Sequence, residues 1–268
     1  MDLASQIQSA LRSQSVPLPS TTWLRALATA RNPPPPLASL IATARTRVLA
    51  SDLTTPNLLD ASYAAEHSFP SAILPPATPT PTSQNNSIIE PKKEARLGRD
   101  VIVQILDLEN ITRSRWEQVE ELEAIERGEQ TRGREIIRIR DQEDDPENEE
   151  NNGVSTASTA PPSATAAQQQ QQQQASKNAT HKLVVQDCNG HKMYALELKR
   201  IDRIGIGLTH IGEKMLLGRN TKVARGMILL EPGSCTLLGG KVDVWHKAWT
   251  EGRLARLREA VGAQDARR

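Results

Sequence analysis

Apolar residues recur at helical spacing in the first fifty residues of the chain. Leu3, Ile7 and Leu11 lie four residues apart, which places them on one face of a helix. Two further helices follow: one that Ser20 can cap and that the run NPPPP ends, and one over about 37–49. Proline-rich breaks between short amphipathic helices predict a three-helix bundle. The bundle has no clustered polar groups that could carry chemistry.

From residue 98 onward the period changes to that of β-strands. The continuous apolar run VIVQIL at 101–106 is typical of a strand that is covered on both faces. KLVVQD and KMYALEL flank Asn189-Gly190, a strong hairpin signal. EKMLLGRNTKV and RGMILLEPGSCTLLGG supply two more strands, so that five short strands are predicted. This pattern favours a small OB-type barrel, although SH3-like barrels have a similar strand count.

Two segments have the composition of disordered chain. One is rich in Pro, Thr, Ser and Asn, and the other combines the acidic run DQEDDPENEE with seven consecutive glutamines. Neither holds enough apolar residues to offset the entropy of ordering. An α+β chain is therefore predicted, with these parts: a helical bundle at 1–74, a disordered linker at 75–96, an OB-fold domain at 97–245, an insertion at 109–181 of which 141–180 is disordered, and a C-terminal helix or tail at 246–268.

Composition narrows the class of protein. The 268 residues include 33 Lys and Arg against 32 Asp and Glu, which provides no global electrostatic case for a nucleic-acid binder. Cys188 and Cys235 lie far apart without a CxxC pattern, which indicates free thiols in a reducing compartment. No apolar run approaches the roughly 18–20 residues of a membrane span. We therefore expect a soluble intracellular protein with no membrane association.

The long connection between the first two strands begins with a well-marked helix. Ser114 and Glu117 satisfy the capping-box pattern S-x-x-E, and Gly128 is a natural stop. An apolar stripe is predicted along the helix at Trp116, Val119, Leu122 and Ile125. The helix could be a solvated face whose stripe packs on its own barrel. However, a passive loop has no need of a capped helix with a tryptophan, and long inserts with ordered elements are often functional.

Enzymatic motifs are not satisfied. GSCTLLGGKV resembles a phosphate loop, but Cys235 and Val242 stand where the motif needs Gly and Ser or Thr. GIGLTHIG has His210 at the third glycine position of a dinucleotide fingerprint. The histidines show no metal-ligand spacing, and Tyr194 lies mid-strand, where core packing is the usual role. The sequence therefore predicts no catalysis, no metal and no cofactor.

A family resemblance rests on three ordered segments. They are VIVQILDLENITRSRWEQVEELEAIERGEQTRGREIIRI, HKLVVQD with MYALEL, and GEKMLLGRNTKVARGMILLEPGSCTLLGGKV. Together they resemble the OB domain of the RecQ-mediated genome instability protein family, and the preceding helices are similar to that family's helical unit. The resemblance implies a short, fungal-type member: a nuclear, non-catalytic subunit of the RecQ helicase–topoisomerase III complex. Its partners would be a type IA topoisomerase and a RecQ-family helicase.

The resemblance also implies a role for the insertion. In this family the segment between the first two OB strands reaches the gate of the topoisomerase and alters its opening and closing, which promotes decatenation and double Holliday junction dissolution. That role carries over to residues 109–140 here. The implied topoisomerase contacts are Arg113, Arg115, Trp116, Glu117, Val119, Glu120 and Leu122. Lys214, which opens the KMLLG strand, is a candidate for the docking face.

The alternative function is single-stranded DNA binding by the OB fold. Such binding uses aromatic side chains that stack on bases, together with a basic groove. The barrel strands offer Tyr194, whereas Trp116, Trp245 and Trp249 lie in the insertion or the tail. The small number of aromatic side chains on the strands argues against base stacking as the main activity. It leaves weak contact of Arg and Lys side chains with the DNA backbone as an alternative.

Overall fold

A computed structural model of the chain describes residues 2–74, 93–128 and 179–265. An N-terminal helical unit packs against a curled β-sheet, one helix follows the second strand, and two helices follow the last. The helices are α1 (Leu3–Ser13), α2 (Thr21–Thr29), α3 (Leu37–Ala50), α4 (Ala61–Glu66), α5 (Arg115–Glu126), α6 (Asp243–Glu251) and α7 (Arg253–Asp265). The strands are β1 (Glu94–Arg96), β2 (Val101–Asn110), β3 (His181–Asp187), β4 (Lys192–Glu197), β5 (Lys214–Leu217), β6 (Lys222–Ala224), β7 (Met227–Leu230) and β8 (Cys235–Gly239).

The three predicted N-terminal helices are present. Ser20 caps α2 as expected, because its hydroxyl accepts a hydrogen bond from the Trp23 amide at 3.2 Å. A fourth helix, α4, was not predicted, since its six residues are too few to show a period. The apolar faces of α1, α2 and α3 form one cluster of buried residues: Ala4, Ile7, Leu11, Leu24, Leu27, Ala28, Leu40 and Ala44.

The sheet curls because one long hairpin pairs with both outer strands of a three-stranded meander. Strands β2, β3 and β4 form an antiparallel meander. The chain from β5 to β8 is a single hairpin, bent where the Gly218 amide donates to the Ser234 carbonyl at 2.8 Å. In one half of the hairpin, β5 pairs with β2. In the other half, β7 pairs in parallel with β4. This topology confirms the predicted OB fold.

The strand count differs from the prediction for two reasons. Eight strands are present in the part of the chain that the structure describes, because the hairpin bend splits each of the last two predicted strands in half. The additional strand β1 pairs with β6, so the last residues of the predicted linker 75–96 are ordered. The rest of that linker and residues 129–178 of the insertion, including most of the segment predicted as disordered, lie outside the described residues. The last two residues of that predicted disordered segment, 179 and 180, are ordered.

Two apolar clusters hold the barrel together and attach it to the helical unit. The barrel interior is filled by inward residues of every strand from β2 to β8. A second cluster joins Val48, Leu49 and Leu53 of the helical unit to Ile102 on β2. The buried side chain of Gln104 crosses the same boundary: it accepts from the Leu53 amide at 3.0 Å and donates to the Asp52 carboxylate at 2.7 Å. The helical unit is therefore fixed to the barrel by apolar and polar contacts together.

Candidate partner-binding site

The two ends of the insertion meet at one end of the barrel, where β2 stops and β3 begins. The Ile111 amide donates to the Thr180 carbonyl at 3.0 Å, and the Thr180 amide donates to the Thr112 hydroxyl at 2.7 Å. These bonds continue the ladder between β2 and β3, whose last pair is Asn110 with His181. The helix α5 therefore starts from a closed, hydrogen-bonded base.

The predicted capping box at the start of α5 is confirmed. The Ser114 hydroxyl accepts from the Glu117 amide at 3.2 Å, and the Glu117 carboxylate accepts from the Ser114 amide at 2.9 Å. Each side chain satisfies an amide that the helix itself leaves unpaired. The first turn of α5 is therefore defined by residues within the insertion.

A buried glutamine that the sequence did not reveal fixes α5 to the barrel. The Gln118 side-chain amide donates to the carbonyls of Asn110 and Arg113, at 3.0 and 3.2 Å. Val119 beside it is also buried. Gln118 lies among charged residues in the sequence, and no periodic signal separates a buried glutamine from an exposed one. Its role depends on the carbonyls that the end of β2 presents.

Arg113 and Arg115, at the start of the insertion, already have acidic partners within the chain. Arg113 contacts Glu121 at 2.8 Å, and Arg115 contacts Glu109 at 3.0 Å. Glu109 also receives Lys182 at 2.7 Å. Burial would raise the pKa of Glu109, but hydrogen bonds and charge from Lys182 and Arg115 outweigh it and lower the pKa. Arg115 therefore joins α5 to the end of β2, and Arg113 joins the preceding loop to α5.

The outward face of α5 carries an exposed tryptophan among carboxylates. Trp116 is 57% exposed, and its indole N–H donates to the Glu120 carboxylate at 2.9 Å. Glu117 and Glu120 are exposed beside it, and Ile111 adds a second exposed apolar side chain at the start of the insertion. Large aromatic side chains in this setting are typical anchors of protein interfaces. We call Ile111, Trp116, Glu117 and Glu120 the α5 outer face.

The predicted apolar stripe of α5 is divided between two sides of the helix. Val119 is only 4% exposed, so it supports the helix from within and offers no surface to a partner. Leu122 is half-buried. Trp116 points to solvent, because Gln118 and Val119 define the side of α5 that faces the barrel. Val119 is therefore not accessible at the surface of this structure. The implied topoisomerase contacts all stay predictions: Arg113, Arg115, Trp116, Glu117, Val119, Glu120 and Leu122.

Lys214, the candidate for the docking face, is buried in this structure. It is 0% exposed, and its ammonium group donates to the Gly212 carbonyl. The strand register pairs it with Gln104, the residue that bridges to the helical unit. Burial lowers the pKa of Lys214 to about 8, although the nearby Asp52 carboxylate acts in the opposite direction. Lys214 therefore lies at the junction of the two domains and not on the surface, and its docking role stays a prediction.

This burial predicts a pH dependence of stability. The unfolded lysine has a pKa near 10.5, so the unfolded chain binds more protons than the folded chain between about pH 8 and 10.5. Stability from this group therefore rises with pH in that range, by about 2–3 kcal/mol between pH 7 and pH 10. We expect Lys214→Met to abolish this increment, as measured by urea unfolding at both pH values.

The exposed Lys192 provides the control for that measurement. Other groups also titrate in the alkaline range, since burial raises the pKa of the Cys188 thiol to about 11. The informative quantity is therefore the difference between each variant and the wild-type chain. If the stabilities of Lys214→Met and Lys192→Met depend on pH in the same way, Lys214 is not the cause of the increase in stability.

Tyr194 is on the outer face of the sheet and not in the core. Its side chain is 54% exposed, and the Lys182 ammonium lies 5.6 Å from the centre of its ring. In β4 the buried residues are Met193, Ala195 and Glu197, so Tyr194 falls on the opposite side of the strand. The expectation that Tyr194 packs in the core is therefore wrong.

Neither a metal centre nor a membrane-spanning helix is found in the part of the chain that the structure describes. No group of three or more His, Cys, Asp or Glu side chains within 2–74, 93–128 and 179–265 could hold a metal ion. No helix in these ranges has the length and apolar character to cross a bilayer.

Comparison with known proteins agrees with this architecture. The family model described as "RMI1, N-terminal OB-fold domain" matches residues 78–253, and "RMI1, N-terminal helical domain" matches residues 11–56. RecQ-mediated genome instability protein 1 of Schizosaccharomyces pombe is 28% identical over 168 residues, which is 62% of this chain and 66% of that protein. The match thus spans slightly less than two thirds of that relative. Because the OB-fold model alone covers more than half of the chain, this protein belongs to the RMI1 family.

Proposed function

We propose that this chain is a non-catalytic adaptor of a RecQ helicase–topoisomerase III complex that acts in genome stability. The OB barrel would dock beside the gate of the type IA topoisomerase, and the insertion at 109–140 would act on the gate. Family membership supports the genome-stability context, and the relative's own name refers to RecQ. The observation that carries the proposal is the α5 outer face, where Trp116 stands exposed on a helix with a fixed base.

The proposed mechanism is a population shift. An adaptor changes the opening of a gate when it binds one gate state more tightly than the other. A capped and anchored helix can discriminate in this way, because little conformational entropy is lost when it binds. The carboxylates of Glu117 and Glu120 complement the positive charge with which proteins contact DNA phosphates.

The biological setting follows from the proposed substrate. A topoisomerase gate that opens and recloses productively would favour decatenation and the dissolution of double Holliday junctions during replication, recombination and repair. Because that substrate is chromosomal DNA, we propose that the protein acts in the nucleus. A RecQ-family helicase would be the second partner.

Truncation of Trp116 tests the proposal with little risk to the fold, because the side chain lies at the surface. We expect Trp116→Ala to lower stimulated decatenation about tenfold or more, since interface tryptophans are frequent hot spots. Replacing 112–139 by a short linker should lower it further and leave binding to the topoisomerase intact. The measurement is decatenation by topoisomerase III with saturating amounts of each variant.

Leu208→Ala is the matched control, since Leu208 is another large, exposed apolar residue at a distance in sequence from the insertion. It should stimulate the topoisomerase like the wild-type chain. If the 112–139 replacement retains full stimulation, the insertion has no role at the gate. If the wild-type chain does not bind a type IA topoisomerase, the adaptor function is refuted.

Single-stranded DNA binding is the second candidate function, and the exposure of Tyr194 supports it. An exposed tyrosine beside Lys182 can stack on a base while the lysine contacts a phosphate. Titration of a labelled single strand separates the two functions. Submicromolar binding at physiological salt, without the topoisomerase, would favour this candidate, whereas weak and salt-sensitive binding would leave DNA contact as an accessory to the adaptor.

A further inference from the structure

The buried contact between α5 and the barrel is short compared with the length of the helix. Within the described helix Arg115–Glu126, the buried residues are Gln118 and Val119, both in the first half. A helix of about 12 residues is marginal by itself in water and needs tertiary contacts to stay formed and oriented. The second half of α5, from Glu121 to Glu126, must therefore be held by something other than the barrel.

The C-terminal helix α7 packs along α5 and contacts both halves of it. Arg258 donates from Nε and Nη2 to one oxygen of Glu123, at 2.9 and 2.7 Å, in the second half of α5. Arg253 donates to the side-chain carbonyl of the buried Gln118 at 3.3 Å, in the first half. Half-buried apolar residues recur along α7 at helical spacing: Leu254, Leu257 and Val261.

Helix α6 attaches α7 to the barrel. The Trp249 indole N–H donates to the Asp107 carboxylate at 2.6 Å, at the point where the register of β2 shifts. Trp249 also packs against the barrel core. At the start of α6 the chain approaches so closely that a Cβ at Gly212 would lie 2.5 Å from the Val242 side chain. The position of α6 is therefore set by the strand that leads into the insertion.

The junction between α6 and α7 is also fixed. The Arg256 guanidinium donates to the Trp249 carbonyl at 2.8 Å. The guanidinium groups of Arg253 and Arg256 lie 5.6 and 5.8 Å from the centre of the Trp249 ring. A continuous series of contacts therefore runs from Asp107 through Trp249 and the arginines of α7 to the two halves of α5.

We propose that α6 and α7 form a brace that sets the orientation of α5 on the barrel, with Trp249, Arg253 and Arg258 as positioning residues for the action of the insertion on its partner. The functional part of this inference rests on the proposed adaptor function. The structural part does not, because it concerns contacts within this chain. The brace makes the α5 outer face a rigid surface, as selective binding of one gate state requires.

A charge swap between α5 and α7 tests the brace in the free protein. Arg258→Glu and Glu123→Arg each replace an attraction by a repulsion and should raise backbone amide hydrogen exchange in 115–126 about fivefold or more. The double variant restores an ion pair of reversed polarity and should return exchange toward wild type. Lys247→Glu is the control, because Lys247 is 76% exposed and pairs with Glu251 of its own helix. Unchanged exchange in both single variants would overturn the brace.

Decatenation by topoisomerase III with the same variants tests the functional part. Arg258→Glu should bind the topoisomerase normally, stimulate decatenation less than the wild-type chain, and regain stimulation when it is combined with Glu123→Arg. If exchange rises but stimulation is unchanged, while the 112–139 replacement abolishes stimulation, bracing is not required and the inference is overturned with the adaptor function intact. If that replacement also retains stimulation, the insertion has no role at the gate, and the brace is decided by hydrogen exchange alone.

Discussion

Replacement of Asp187 by alanine is expected to lower the free energy of unfolding by about 3–5 kcal/mol, because several donors lose a buried charged acceptor at once. Asp187 is 0% exposed at the end of β3. One carboxylate oxygen accepts from the amides of Asn189 and His191, at 3.0 and 2.8 Å. The other accepts from the Phe69 amide at 3.0 Å. The residue thus orders the β3–β4 turn and attaches it to the segment that follows α4.

Chemical denaturation of three variants measures this effect. Asp187→Asn retains an acceptor oxygen and should fall between the wild-type chain and Asp187→Ala. Asp202→Ala removes an exposed carboxylate and should change the free energy of unfolding by less than about 0.5 kcal/mol. A value for Asp187→Ala within that same margin would contradict the bonding described here.

Replacement of Gly240 by alanine should lower the free energy of unfolding by about 3–4 kcal/mol, because the added methyl group causes steric overlap between the barrel and the helical unit in addition to backbone strain. A Cβ at this position would lie 2.3 Å from the Leu49 carbonyl oxygen at the end of α3. A backbone atom cannot move aside as a flexible side chain can. Gly240 also has a φ of +92°, which side chains disfavour. Gly240→Ala must therefore force α3 away from the barrel.

The adjacent glycine provides a control with the same backbone strain. Gly239 has a φ of +86°, but nothing lies within 4 Å of a Cβ built there. Gly239→Ala should therefore cost only the conformational strain, about 1–2 kcal/mol. The difference between the two variants in thermal or chemical denaturation measures the close approach of α3. Equal destabilisation would show that α3 does not rest on this turn.

Features that depend on neighbouring residues in the sequence were predictable. The capping box of α5 joins two residues three apart, and the hairpin of β3 and β4 is signalled by Asn189-Gly190 between two alternating runs. The Ser20 cap of α2 has the same local character. The bend in the β5–β8 hairpin was not predictable, because the run of strand-forming residues continues through it and pairing at both edges of the meander decides where it bends.

Within the candidate site, the sequence indicated the helix but not its orientation. Trp116 and Val119 were both predicted on the apolar stripe, yet Trp116 is exposed and Val119 is buried. The side that faces the barrel is chosen by Gln118, whose partners are carbonyl groups at the end of β2 and the start of the insertion. A C-terminal helix or tail was expected at 246–268, but without any contact to α5. Its contacts with α5 cross 135 residues of sequence, and no local pattern encodes them.

Local patterns were sufficient to predict the α+β class, the positions of the main helices and strands, and the capped start of the insertion, because periodicity and capping act over a few residues. Tertiary structure alone decided that Lys214 is buried at the domain junction, that Tyr194 is exposed, and that Trp249 reaches Asp107 across 142 residues. The physical reason is that the burial of a side chain depends on which surfaces meet when the barrel curls and the terminal helices pack against it, and not on the residue's own neighbours.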